Sequence, residues 1–164
     1  MAGKKKDKPT ADFGDRVVAR NKRAHFDYEL TDSYEAGLVL VGSEVRSLRE
    51  STGDLTDSYV FIKNNEAFVT GLRIPVLKHA GYGHIEEKRI RKLLLHRSEI
   101  DKVRAALERE RMTLVATKLY FKNGRAKIEV TLGKGKKSHD KRNTLRERDA
   151  AKESRVAIRQ GKGY

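Results

Sequence analysis

Thr113-Leu114-Val115-Ala116-Thr117-Lys118-Leu119-Tyr120-Phe121-Lys122-Asn123-Gly124-Arg125-Ala126-Lys127-Ile128-Glu129-Val130-Thr131-Leu132 reads as two strands folded back on one tight turn. In its second half Ile128, Val130 and Leu132 alternate with Lys127, Glu129 and Thr131, the period of two that puts one face of a strand into a core. Asn123-Gly124 between the halves is the pair that best tolerates the two positive φ angles of a type I′ hairpin. A hairpin of this length needs a sheet to join, so the flanking sequence is read for its partners.

Upstream, Ser98 opens a helix with Asp101 as its capping-box partner, Ile100, Val103 and Leu107 as its apolar stripe, and Arg109 and Arg111 near its negative end. Before it lies the apolar run Leu93-Leu94-Leu95. Residues 58–63 and 66–70 are rich in Val, Ile, Tyr and Phe and flank Asn64-Asn65, a second tight hairpin that runs out before Pro75. Gly42 and Ser43 open a short helix around Val45 and Leu48 that closes near Gly53. Phe26, Tyr28 and Leu30 alternate with Asp27, Glu29 and Thr31 as a half-buried strand, and residues 38–41 form a further, more buried one. Several short strands with two lid helices predict a mainly β (α+β) fold, a small Greek-key β-barrel of the OB type with flanking helices.

Of the 164 residues, 37 are Lys or Arg and 23 Asp or Glu, a net charge of +14. The excess sits at the ends: residues 1–23 carry 8 basic and 3 acidic side chains, and residues 133–164 carry 11 and 4. A near-neutral body with basic extensions suits an electrostatic hold on polyphosphate, because each neutralised phosphate releases counterions. The expected organisation is a disordered basic arm over 1–20, a barrel over 21–132, and a basic tail over 133–164 that is disordered alone and helical when docked on RNA. With no cysteine, thiolate catalysis, disulfides and zinc ribbons are excluded. No stretch reaches the roughly 20 apolar residues of a membrane span, so a cytoplasmic protein without membrane contact is expected.

Catalytic signatures are missing. The five histidines are scattered, and His79 and His84 are separated by Ala80, Gly81, Tyr82 and Gly83 with no carboxylate between them, the pattern of a glycine-rich loop more than of a metal pair. Gly133-Lys134-Gly135-Lys136-Lys137 lacks the ending of a phosphate-binding loop and reads as a basic hinge. The expectation is a binding protein that is not an enzyme and uses no cofactor. Asn21, Lys22, Arg23, His25, Phe26 and Tyr28 combine charge, an amide and rings, the mixture that holds phosphates and stacks bases; Phe26 and Tyr28 read equally as inward strand residues. Lys88, Arg89, Arg91 and Lys92 form a second basic run beside leucines that read as core, unless one of them faces out to meet an unstacked base. Glu35 is either a solvated turn residue or a carboxylate that accepts from a base amino group or a 2′-hydroxyl.

Taken in order, Asn21-Lys22-Arg23-Ala24, Tyr34-Glu35-Ala36-Gly37, Gly42-Ser43-Glu44-Val45-Arg46-Ser47-Leu48-Arg49, Asp57-Ser58-Tyr59, Arg91-Lys92-Leu93-Leu94-Leu95-His96, Leu119-Tyr120-Phe121-Lys122-Asn123-Gly124 and Gly135-Lys136-Lys137-Ser138-His139-Asp140-Lys141-Arg142 resemble the SsrA-binding protein (small protein B, SmpB) family of bacterial trans-translation. The resemblance implies a monomeric OB-type barrel that binds the tRNA-like domain of transfer-messenger RNA and takes it to stalled ribosomes. The tail would enter the small-subunit decoding centre and the empty mRNA channel. It implies RNA contacts at Asn21, Lys22, Arg23, His25, Phe26, Tyr28, Glu35, Arg91, Lys92 and Leu94, and ribosome contacts at Lys134, Lys136, Lys137, His139, Asp140, Lys141 and Arg142. Two positions depart from the family pattern: Phe26 stands where a histidine is usual, and Glu86-Glu87 where an acidic-proline pair is common.

Overall fold

The computed structural model describes residues 16–76 and 85–160; the His79/His84 loop and residues 1–15 of the expected arm lie outside them. The hairpin is as the sequence predicts. β6 (Thr113–Lys122) and β7 (Arg125–Gly135) pair antiparallel down to Lys122↔Arg125, and Asn123 (φ 50°) with Gly124 (φ 72°) make the turn. β3 (Tyr59–Lys63) and β4 (Glu66–Thr70) repeat the device, with Asn64 and Asn65 at φ 50° and 62°.

Around these two hairpins a ring closes. β6 pairs β3, β3 pairs β4, β4 pairs β5 (Arg91–Leu94), β5 pairs β2 (Tyr28–Leu38), β2 pairs β7, and β7 returns to β6; every pairing is antiparallel. Closure leaves none of these strands with a bare edge along its paired length, the risk an open sheet carries. β1 (Arg16–Arg20) pairs the same side of β6 that β3 uses, at the other end. Inside lie Leu48, Leu55, Leu72, Leu93, Leu114, Leu119, Phe121 and Ile128, supplied by strands, by α2 (Gly42–Glu50) and by the segments between. α3 (Arg97–Arg109) adds Val103 from outside the ring.

The structure corrects the boundaries. Residues 16–20 belong to the sheet, with Val18 buried, and β7 runs past Leu132 to Gly135. Phe26 is not in a strand: Ala24–Asp27 form one helical turn, α1, before β2 begins. β2 is a single strand through Glu35, where the sequence suggests two strands and a turn. Its pairing with β7 shifts register between Leu30 and Ser33, and the strand runs on. α3 starts one residue earlier than expected, and its first turn is closed by the Glu99 carboxylate, which accepts from the His96 N–H (2.9 Å), not by Ser98 and Asp101. The segment 138–160 is one helix, α4 (Ser138–Gln160). Among the described residues no helix is long and apolar enough to cross a membrane.

Candidate nucleic-acid interface

Outward-facing residues of three adjacent strands bring one group of expected contacts together. Glu35 and Gly37 sit two apart on β2; Gly37 faces Leu94 on β5 on one side and Lys127 on β7 on the other. Leu93 is buried and Leu94 is 57% exposed, so of these two leucines the second is the outward one, its Cβ 3.3 Å from where a side chain on Gly37 would begin. Lys92, two before it, pairs with Glu66.

Glu35 is a strand residue, correcting the turn reading. Its carboxylate accepts hydrogen bonds from the Tyr120 hydroxyl and from Lys122 Nζ (3.1 Å), with Lys127 Nζ at 3.6 Å. The Tyr120 and Lys122 hydrogen bonds, reinforced by the charges of Lys122 and Lys127, hold it below the usual carboxylate range. It is therefore an anion at neutral pH in a basic setting, an acceptor suited to a base amino group or a 2′-hydroxyl. Lys118, 4.9 Å above the Tyr120 ring, continues the face. Tyr120, Lys122 and Lys127 are absent from the sequence-derived site. Their signal was the same alternation that revealed the core, followed on its polar side.

The second group gathers at α1. Lys22, Arg23 and His25 are exposed, and Phe26 and Tyr28 half-buried. Tyr28 packs on Gly133, where a Cβ would meet Tyr28 Cβ at 3.0 Å and Leu30 Cδ2 at 3.1 Å, so only glycine lets β7 approach β2 there. Asn21 holds α1 in place. It is buried, its Nδ2 donates to the Leu55 and Ala116 carbonyls (3.0 and 3.1 Å), and its Oδ1 accepts from the Arg23 and Ala24 N–H groups (3.1 Å each). It clamps α1 to the barrel, and the basic residues beside it are positioned by that clamp.

Arg91 likewise is interior, correcting its place in the exposed basic run. Its guanidinium binds Glu44 (2.8 Å) and donates to the Leu72, Arg89 and Glu87 carbonyls. Glu44, also buried, holds Arg89 (2.6 Å) and caps α2 by accepting from the Val41 N–H (3.0 Å). Burial pushes the Glu44 carboxyl up, but the hydrogen bonds from Arg89 and Val41 and the charge of Arg91 outweigh it and hold the group below its usual range. This network fastens α2 to β5 and leaves no Arg91 donor for a partner.

Between the two groups runs a polar groove of about 410 Å³. His25, Tyr28 and Lys136 line it together with Thr117, Thr131 and Glu129, the last being the register partner of Glu35. Its hydroxyl groups are joined in a chain, Ser33 to Thr131 (2.9 Å) and Thr131 to Thr117 (3.2 Å). Lys134 lies exposed on β7 opposite Glu29, part of a barrel strand and not of the tail. Lys136 joins the tail to α1. Lys137, Asp140 and Arg142 are exposed at the start of α4, and Lys141 is half-buried; the His139 side chain is outside the described residues. Among the described residues no group of three or more His, Asp or Glu side chains could hold a metal ion.

Known proteins match this arrangement over nearly the whole chain. The family model described as SmpB protein matches residues 18–160, from β1 to the last residue of α4. The SsrA-binding protein of Sorangium cellulosum is 51% identical over 152 residues, 92% of this chain and 93% of that protein. That of Oleidesulfovibrio alaskensis is 49% identical over 145 residues, 88% and 94%. Among solved structures, a chain of "tmRNA-SmpB: a journey to the center of the bacterial ribosome" superposes with a TM-score of 0.62 at 38% identity, covering 74% of this chain and 85% of that one. α1, the strands β2 to β7 and α4 all fall within the span matched by the family model, and the chain belongs to the SmpB family of SsrA-binding proteins.

Proposed function

We propose that this protein is an adaptor that binds the tRNA-like domain of transfer-messenger RNA and brings it to stalled ribosomes, where the basic tail engages the decoding centre and the mRNA channel. The observation that carries the reading is the match to a ribosome-bound tmRNA–SmpB structure by a chain whose outward face joins an ionised Glu35, the exposed Leu94 and Lys127. Glu35 reads base or ribose donors, Leu94 packs on an unstacked base, and Lys92, Lys122 and Lys127 hold phosphates. Lys22, Arg23, His25 and Phe26 form a second contact. Lys137, Asp140, Lys141 and Arg142, with His139, serve the ribosome. The protein acts as a monomer in the cytoplasm, without cofactor and without a reaction of its own.

The test is which RNA co-purifies with the full-length protein. Transfer-messenger RNA enriched over transfer and ribosomal RNA, and lost with Glu35→Gln combined with Leu94→Ala, is the expected result. Ribosomal RNA alone, unaffected by those changes, would refute it.

A further inference from the structure

The seam between β3 and β6 is short, Tyr59↔Val115 and Val60↔Leu114. Past it Phe61 and Ile62 pair with β4, and on their other side they face α3 in place of a strand. A slot of about 360 Å³ lies in the opening, near the low end of the roughly 300–1,000 Å³ of small-ligand cavities. Phe61, Ile62, Leu107 and Met112, all half-buried, make its apolar walls, and Arg104 and Glu108 stand on the α3 side. Arg111, in the left-handed region at φ 50°, turns the chain from α3 into β6 and so returns Met112 to the slot. Arg104 is aimed by the β3–β4 turn: its Nη2 donates to the Asn65 side-chain carbonyl, which leaves its other N–H groups for a partner. Glu108 is exposed and has no hydrogen-bond or ion-pair partner among the described residues.

The slot is continuous with the face assigned to RNA. Phe61 and Phe68 alternate with Val60, Ala67 and Val69, which fill the core, so both rings lie on the outer side of the barrel. The two rings stack, centroids 5.7 Å apart and planes 24° from parallel, and Phe68 is the register partner of Lys92, two residues before the exposed Leu94. An aromatic row thus leads from Leu94 across β4 to the slot. Lys63 and Arg111, exposed and next in sequence to Ile62 and Met112, surround it with positive charge. An apolar slot with a guanidinium and a carboxylate at its mouth matches one part of an RNA, an unstacked base with its phosphate. Guanine has two parallel N–H donors on its pairing edge, so it is the base that a single carboxylate can hold twice. We propose that the slot between β3 and α3 takes one unstacked guanine of the RNA held on the adjoining face, walled by Phe61 and Met112, with Glu108 accepting from its edge and Arg104 on its phosphate. This rests on the RNA-binding reading above and adds to it a contact that reads one base.

The methionines of the chain are Met1 and Met112, so methyl labelling of methionine in the full-length protein gives Met112 a resonance of its own, assigned with Met112→Leu. Adding the transcribed tRNA-like domain should move that resonance upfield, because a base in the slot lays its ring current on the methyl group. Guanosine monophosphate at high concentration should move it the same way, and further than uridine monophosphate, whose base has a single such donor. Glu108→Gln should remove that preference and weaken binding of the tRNA-like domain by roughly five- to a hundredfold, the range for one lost base-edge contact. Glu110→Gln removes the same charge outside the slot and should not weaken it. RNA binding that leaves the Met112 resonance in place overturns the slot, as does equal affinity of the two variants. If the tRNA-like domain does not bind while guanosine monophosphate still moves Met112, the adaptor reading falls and the base slot stands; if neither moves it, the slot falls.

Discussion

Asn21→Ala should unfold α1 before it touches any RNA contact. The substitution removes two donors that satisfy the Leu55 and Ala116 carbonyls and two acceptor contacts that satisfy the Arg23 and Ala24 N–H groups, in a side chain 5% exposed. A net hydrogen bond contributes about 0.5–1.5 kcal/mol, and leaving a buried polar partner unsatisfied costs about 1–3 kcal/mol. Arg23 can recover water and Ala24, 1% exposed, cannot. The expected loss is about 2–4 kcal/mol, on the scale of other broken buried networks. Asn21→Asp keeps the two acceptor contacts but loses both donors and sets a charge against two carbonyls, so it should cost at least as much. Urea unfolding gives both values, and RNA titration of the still-folded fraction should show only a modest, indirect loss. Unchanged stability in Asn21→Ala together with a large loss of RNA affinity would mean that the amide faces the RNA and that the clamp is misread.

Glu35→Gln and Leu94→Ala should leave thermal stability within about 0.5 kcal/mol, as exposed substitutions do. Each should weaken binding of the tRNA-like RNA by about 1–3 kcal/mol, as loss of a base-edge or stacking contact does. Arg91→Met strands Glu44 without its buried partner and should cost about 3–5 kcal/mol in denaturant unfolding, with RNA affinity of the folded protein unchanged. Because Glu44 is held below its ordinary carboxylate range, its contribution to stability is complete above the unfolded value and is lost as pH falls through the lower folded one; Glu44→Gln should flatten that acid-side slope, and an unaltered slope would refute the assignment. Deleting residues 138–164 should spare folding and abolish tagging in a reconstituted stalled-ribosome assay. A cut before Gly133, which breaks the pairs Leu30↔Gly133 and Tyr28↔Gly135, should also lower the melting temperature.

What could be read from the sequence was what local rules govern. Both hairpins and the α2 and α3 segments follow from turn chemistry and periodicity, whereas Leu94 was singled out only by resemblance. What escaped depends on partners far along the chain. Residues 16–20 read as part of a disordered arm until β6 lies beside them, and Glu35 reads as a turn residue until β7 pairs with it. Arg91 and Asn21 had the right chemistry for an RNA surface and were spent inside, because Glu44 and the Leu55 and Ala116 carbonyls, distant in sequence, needed them. Glu35 was legible by resemblance, and its Tyr120 and Lys122 partners only by geometry.

The closure of the ring by its last strand bears on how the molecule comes into being. β2 is made early, yet its long partner β7 is the final strand, so Tyr28 waits for Gly135 and Gly37 for Lys127. A chain emerging from the ribosome therefore holds most of its earliest long strand, all but the Gly37-Leu38 end that β5 pairs, without a partner until β7 follows, a slow, non-local closure that leaves an edge exposed. Lys127 and the Lys122–Glu35 contact arrive with that closure, so a prematurely terminated copy lacks both a sealed barrel and the surface assigned to RNA. A half-made adaptor would be inert rather than partly active.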